Sequence, residues 1–234
     1  MKYLATLFFV IVYSACANAG LIEPSQATLS VNAVAGIDNS VALNLTTLDI
    51  PPSDAASGLP ISASASREGQ SFADALIDVN SESFFLDATT EAFSERGEFS
   101  DATAISEFQG VFRRSGAYDF FLNFETLNEL IVPGIDSVAE ASLFVEIMLD
   151  DIRVYSEFLI SASQLAYRFR LEDMSSAVIN IILSSNAVAG TREASSFNLA
   201  SASFSVLSVP EPSSVLLIGS VLFGSRLIRR KNLH

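Results

Sequence analysis

Between residues 20 and 208 this chain contains no histidine, cysteine, lysine or tryptophan. Each absence removes chemistry. Ser-His-Asp and Cys-His nucleophile systems, Ser-Lys dyads, Schiff-base catalysis and His- or Cys-ligated zinc or iron have no residues to use. The single histidine is His234, a solvated end and not a ligand. No glycine-rich phosphate loop is present. Disulfides are excluded too: the one cysteine is Cys16, close to the N-terminus. Stability must then come from a packed core, and 189 residues between 20 and 208 suffice for one domain.

Positive charge is also scarce there. The region holds eight Arg against 26 Asp and Glu, a net of −18. Nucleic acid is excluded as a partner, because phosphate binding requires a basic footprint. An anionic lipid surface repels such a body. Carboxylates are the remaining reactive groups. An Asp/Glu pair could run glycoside hydrolysis at the right spacing, but among so many acids some pair meets it by chance. Asp150-Asp151, Glu172-Asp173 and the cluster Asp87, Glu91, Glu95, Glu98 and Asp101 offer oxygens to Ca²⁺ without EF-hand spacing. They read as solvated acidic turns. We therefore expect no enzyme, no cofactor and no metal.

What is present is alternation. Val41, Leu43 and Leu45 alternate with Ala42, Asn44 and Thr46, one strand. Pro51-Pro52-Ser53-Asp54 and Ser57-Gly58-Leu59-Pro60 are turns. Ile61 to Ser66 alternates small and polar residues, a weak edge strand or a flexible segment. Ala75 to Val79 and Phe84 to Leu86 fit two short strands, and 88–99 admits a helix with little apolar stripe to bury. Phe108, Gly110 and Phe112 then lead through Arg114-Ser115-Gly116 to Tyr118, Phe120, Leu122 and Phe124. The last four alternate with Asp119, Phe121, Asn123 and Glu125, so the segment reads as a hairpin with one aromatic face. Pro133-Gly134 is a turn.

Ala139 to Leu149 is the most regular strand, followed by a turn at Asp150-Asp151 and by Ile152, Val154, Ser156, Phe158 and Ile160 in the same period. Further strands fall at Tyr167 to Leu171, Val178 to Leu183 and Ser195 to Leu207. Tyr155 and Tyr167 read as core or surface aromatics. No stretch is long enough for a βαβ crossover, and no fixed repeat is visible. The fold class is all-β, an antiparallel β-sandwich or jelly roll. A jelly roll could carry a sugar-binding face. Lacking Trp, it would rely on Tyr or Phe at the surface, and the alternation buries most of those.

Both ends differ from the body. Lys2, the apolar run from Tyr3 to Tyr13, and Ala17-Asn18-Ala19 before Gly20 have the layout of a secretory signal peptide over 1–19. Cleavage would use Ala17 and Ala19. Ser14-Ala15-Cys16 is a partial lipobox, with Tyr13 where a Leu-like residue belongs, so Cys16 is expected to leave with the signal. At the other end, Pro210 and Pro212 cannot donate to a sheet ladder and stop the preceding strand. Ser213 and Ser214 can cap a helix, with Glu211 near its positive end. From Ser213 to Ile228 there are 16 residues. They would make about 24 Å of helix, short of a bilayer core of about 30 Å. Gly219, Ser220, Gly224 and Ser225 dilute the run, and Arg226 must snorkel. The order decides: Arg226, Arg229, Arg230 and Lys231 close the segment on the basic side that stays in the cytoplasm. The alternative is a buried C-terminal helix.

This tail resembles the PEP-CTERM sorting signal of Gram-negative bacteria. The resemblance rests on Pro210-Glu211-Pro212, the Gly-containing run 215–224 and Arg226, Arg229, Arg230 and Lys231, about a tenth of the chain; Asn232, Leu233 and His234 extend beyond the pattern. It implies an exosortase, a membrane protease-transpeptidase, as processing partner, followed by release to the cell surface or matrix. Proteins with this tail often carry an aromatic-rich sandwich ahead of it. The expected layout is signal 1–19, exported acidic sandwich 20–208 and sorting tail 209–234, the last split into motif 209–214, membrane helix 215–228 and basic cytoplasmic end 229–234. The expected partners are exosortase and the bilayer, with exopolysaccharide as a further partner class. The expected role is a structural protein of the cell surface or extracellular matrix. A carbohydrate-binding module for exopolysaccharide is the first alternative, and a carboxylate-pair glycoside hydrolase the second.

Overall fold

The computed structural model describes residues 24–37, 40–50, 61–67, 71–79, 83–94, 99–132, 137–190 and 194–209. Among them every regular element is a strand. In chain order these are β1 (Gln26–Ile37), β2 (Ser40–Ile50), β3 (Ile61–Arg67), β4 (Ser71–Val79), β5 (Phe84–Ser94), β6 (Ser100–Phe112), β7 (Gly116–Val132), β8 (Val138–Leu149), β9 (Ile152–Leu159), β10 (Ser163–Leu171), β11 (Ala177–Ala189) and β12 (Ala194–Val209). All described pairings are antiparallel.

The strands form two six-stranded sheets, ordered β2-β1-β6-β11-β8-β9 and β3-β4-β5-β12-β7-β10. The sheets lie face to face in register of strands: β2 over β3, β1 over β4, β6 over β5, β11 over β12 and β8 over β7. The last eight strands follow jelly-roll order. Every connection from β5 to β12 crosses between sheets, except the β8–β9 hairpin. The hairpins β1–β2 and β3–β4 widen this eight-stranded unit on one side.

The expected strands are present, and two expectations about them are corrected. The segment 107–125 is not a hairpin. β6 pairs with β1 and β11, whereas β7 pairs with β10 and β12 in the opposite sheet. Their aromatic faces meet across the core, not side by side; a period of two reports which side is buried, not which neighbour is bonded. The helical option over 88–99 is also overturned. Residues 88–94 continue β5, with Ala88, Thr90, Ala92 and Ser94 all inward. Small inward residues hid the alternation. The turns expected at 51–54, 57–60 and 133–134 lie outside the described residues.

The core has two ends of different character. At one, Phe204 is stacked on Phe84 with centroids 5.0 Å apart, and Phe108 and Phe120 pack on it at 4.7 and 6.2 Å. Gly110 makes room there: a Cβ would come within 2.7 Å of the Phe108 ring. At the other end a small cluster of Ala92, Ala187 and Ala189 fills a thinner gap. A buried polar chain lies beside it. Thr90 Oγ1 and Ser185 Oγ are 2.8 Å apart, and Asn198 Nδ2 donates to Ser185 Oγ at 2.9 Å and to the Glu140 carbonyl. These bonds satisfy groups that would otherwise cost free energy on burial. Tyr155 and Tyr167, with centroids 4.8 Å apart, close the margin between β9 and β10.

Candidate functional site

Among the described residues the space between the sheets is filled by an apolar core, and a pocket opens on an outer face. On the outer face of the β3–β10 sheet, three neighbouring strands contribute consecutive triplets to one open groove: 121–123 of β7, 164–166 of β10 and 203–205 of β12. Its volume is about 540 Å³, and Ser83 also lines it. Leu122 and Phe204 face the core, so their neighbours face out. Register sorts those neighbours into two rows. Ala166, Phe121 and Ser205 form one; Gln164, Asn123 and Ser203 form the next.

Phe121 is the large group of the first row and is 42% exposed. Small neighbours on both sides, Ala166 and Ser205, leave its ring uncovered. In the second row Asn123 donates from Nδ2 to Glu125 Oε1 at 2.8 Å, which fixes its amide plane. No ionisable side chain lines the groove. One row beyond Phe121, Arg168 binds Asp119 through both ends of its guanidinium, Nε to Oδ1 at 2.5 Å and Nη2 to Oδ2 at 2.8 Å. The Arg168 hydrogen bonds hold the Asp119 carboxyl below its ordinary pKa, against a smaller opposing effect of burial. The arrangement is an aromatic platform bordered by amides and hydroxyls, with the adjacent charges neutralised.

The same sheet becomes acidic toward β4 and β5. Asp74 lies diagonal to Asp87 on the outer face. Partial burial, then the charge of Asp87, raise the Asp74 carboxyl above its ordinary pKa. These carboxylates stand on an open strand surface outside the groove. Among the described residues no group of three or more Asp, Glu, His or Cys is placed to hold a metal ion. Of the acids named from the sequence as oxygen donors, Glu95 and Glu98 lie outside the described residues. Asp150 instead organises its turn: its carboxylate accepts from the Ser176 N–H at 2.8 Å, which lowers its pKa. Tyr155 is pushed up to about 12, by burial first and then by Glu157.

Ala17, Ala19, Pro210, Glu211, Pro212, Arg226, Arg229, Arg230 and Lys231 all lie outside the described residues, as does the expected span 215–228. No helix among the described residues is long and apolar enough to cross a membrane. β12 runs to Val209, the residue before Pro210. Phe121 and its groove were not foreseen as a site. The available signal was an aromatic in the polar phase of the β7 alternation, between Asp119 and Asn123.

Comparison with known proteins identifies the C-terminal end. Residues 208–231 match the PEP-CTERM protein-sorting motif. The chain thus carries a C-terminal sorting signal of the kind that marks exported surface proteins. No curated protein matches the chain in sequence. Among solved structures it is similar to TmCBM61 in complex with beta-1,4-galactotriose, at 7% identity and a TM-score of 0.28, over 52% of this chain and 71% of that one. It is also similar to the GH31 alpha-xylosidase Xac1773 from Xanthomonas citri, at 9% identity and a TM-score of 0.21; 81% of this chain spans only 19% of that enzyme. A third likeness is to infectious bursal disease virus, Gt strain, at 12% identity and a TM-score of 0.19, over 85% of this chain and 69% of that one. Likenesses this distant say nothing of ligand or activity.

Proposed function

We propose that this is an exported, non-catalytic surface protein whose folded body is delivered to the cell surface or extracellular matrix as a structural component. In this reading 1–19 directs export, 215–228 holds the chain in the membrane as a passing intermediate, and Arg226, Arg229, Arg230 and Lys231 keep the C-terminal end in the cytoplasm. An exosortase then cuts near Pro210-Glu211-Pro212. One observation carries the reading: the sorting motif at 208–231 begins where β12 ends at Val209. Cleavage at the tripeptide therefore spares the whole sandwich. The absence of His, Cys and Lys from 20–208, and the placement of Asp74 and Asp87 on an open strand surface, support a non-catalytic body.

Intact-mass analysis of the protein from its native host, in membrane and extracellular fractions, tests this. The expected extracellular species starts at Gly20 and ends within 210–212. A species extending through His234 and confined to membranes would make the tail a permanent anchor and defeat the sorting reading.

A further inference from the structure

We propose that the groove on the outer face of β10, β7 and β12 is a binding site for a neutral glycan chain, with the Phe121 ring as its stacking platform. This goes beyond the sorting reading and does not depend on whether the tail is cut.

The ring comes first. An aromatic side chain 42% exposed on the outer face of the sheet, with Ala166, Ser205, Asn123, Gln164 and Ser203 around it, offers apolar area at the cost of only two side-chain torsions. Its flanking positions are held by Ala166 and Ser205, which rise no higher than the ring. A flat ligand can therefore lie along it. A pyranose ring has such a face, made of axial C–H groups, while its hydroxyls point outward in the ring plane.

Those hydroxyls then meet the second row. Gln164, Asn123 and Ser203 sit two residues along the strands, about 7 Å from the first row at roughly 3.4 Å per residue. Two amides and a hydroxyl supply both donors and acceptors, which a sugar hydroxyl requires because it is both. The Asn123 amide is already held by Glu125 at 2.8 Å, so little is lost in ordering it on binding. Ser83 and Ser205 add further hydroxyls to the lining.

Charge selects among glycans. Nothing ionisable lines the groove, and the adjacent Asp119 is neutralised by Arg168. Past β12 the same face carries Asp78 and Asp87, and Glu125 stands on the near side. A polymer of uronic acids or sulfated sugars is repelled by these groups and by a body carrying −18 between residues 20 and 208. A neutral hexose polymer is not. A peptide strand added to the free edge of β10 would pair beside the groove and not within it, because the groove lies on the face of the sheet.

The test uses the full chain in detergent micelles and affinity electrophoresis through gels holding neutral galactan, mannan or β-glucan, with alginate as the anionic comparison. Retardation by at least one neutral polysaccharide is expected, with none by alginate. Phe121→Ala should weaken that retardation at least tenfold, and Asn123→Ala at least threefold, with melting temperatures unchanged. Should Phe121→Ala fold poorly, the exposed Ala166→Glu variant places a carboxylate over the ring and must abolish binding. Phe72→Ala, an exposed aromatic on the far side of the sheet, should have no effect. Absence of retardation by every neutral glycan, equal retardation of the Phe121→Ala and parent proteins, or preference for alginate overturns the proposal. So does self-association that disappears in Phe121→Ala, which would mark the groove as a contact between copies of this chain.

Discussion

Tyr118 donates its phenolic proton to the carbonyl of Arg114, four residues back, where the chain leaves one sheet and enters the other. The hydroxyl ties the β6–β7 crossing to the inner face of β7, and the ring is stacked on Phe169 at a centroid distance of 5.4 Å. Burial raises the phenol above its ordinary pKa, with Arg114 opposing the effect. Tyr118→Phe keeps the ring and removes the bond. We expect a loss of about 0.5–1.5 kcal/mol in urea unfolding. A Tyr118→Phe protein as stable as its parent would show that the crossing is held by packing alone.

Phe204 touches three other rings, and Gly110 clears the space that one of them occupies. Phe204→Ala should cost about 3–5 kcal/mol, as expected for emptying an aromatic core site. Gly110→Ala should cost about 1–3 kcal/mol by overpacking against Phe108. The two changes act on one cluster, so their sum should not match the double variant. Chemical denaturation of the single and double variants decides this.

Acid should act on the outer face in two opposite ways. The folded-state pKa of Asp119 is depressed by Arg168, so its contribution is complete above the unfolded value of 3.8 and is lost as pH falls through the lower folded value. Arg168→Gln should therefore flatten the drop in urea midpoint between pH 5 and acid, beginning at about pH 4. Asp74 has a raised pKa and works the other way: its charged form costs stability above that value. Asp74→Asn should raise the urea midpoint at neutral pH, and the gain should vanish once the parent carboxyl is protonated. A gain that persists unchanged in acid would assign the effect to something other than charge.

The β8–β9 hairpin turns through Asp150 and Asp151, with φ of 47° and 65°. Two consecutive left-handed residues are the geometry of a type I′ turn, which glycine and asparagine favour. Asp151→Gly should stabilise the protein by up to about 1 kcal/mol, and Asp151→Val should destabilise it by about 1–2 kcal/mol. Thermal melts of the pair check the sign. Asp150 is left in place because its carboxylate bonds the Ser176 amide.

Much of this architecture could be read from the chain, and the limits are specific. Ala139 to Leu149 and the Asp150-Asp151 turn were visible because a long alternation ends in residues that tolerate positive φ. The partners of β6 and β7 were not, since crossing to the opposite sheet takes as few residues as a hairpin does. β2 failed differently. Val41, Leu43 and Leu45 mark a strand, yet they are 62%, 67% and 59% exposed, and the small Ala42 packs toward the core. The pairing of β2 with β1, which begins at Ile37 and Ser40, fixes the register, and Leu29, Val31 and Ala35 of β1 claim the inside. Ala35 stands opposite Ala42, which sets the inward phase of the whole edge strand. Ile152 and Phe158 of β9, and Ile160 just after it, are likewise exposed, at the other edge. The groove went unseen because alternation ranks residues by hydrophobicity, and Phe121 sits in the phase where polar groups are expected.

β12 is the last strand among the described residues and occupies the middle of its sheet, between β7 and β5. That placement sets a time order. Among the described residues the β10-β7 pair and the β5-β4-β3 group are joined within this sheet through residues 194–209 alone. Contacts so distant along the chain make for slow closure. If the body is exported N-terminus first, as proposed above, this sheet can join its two halves only after the segment just ahead of the sorting motif has arrived.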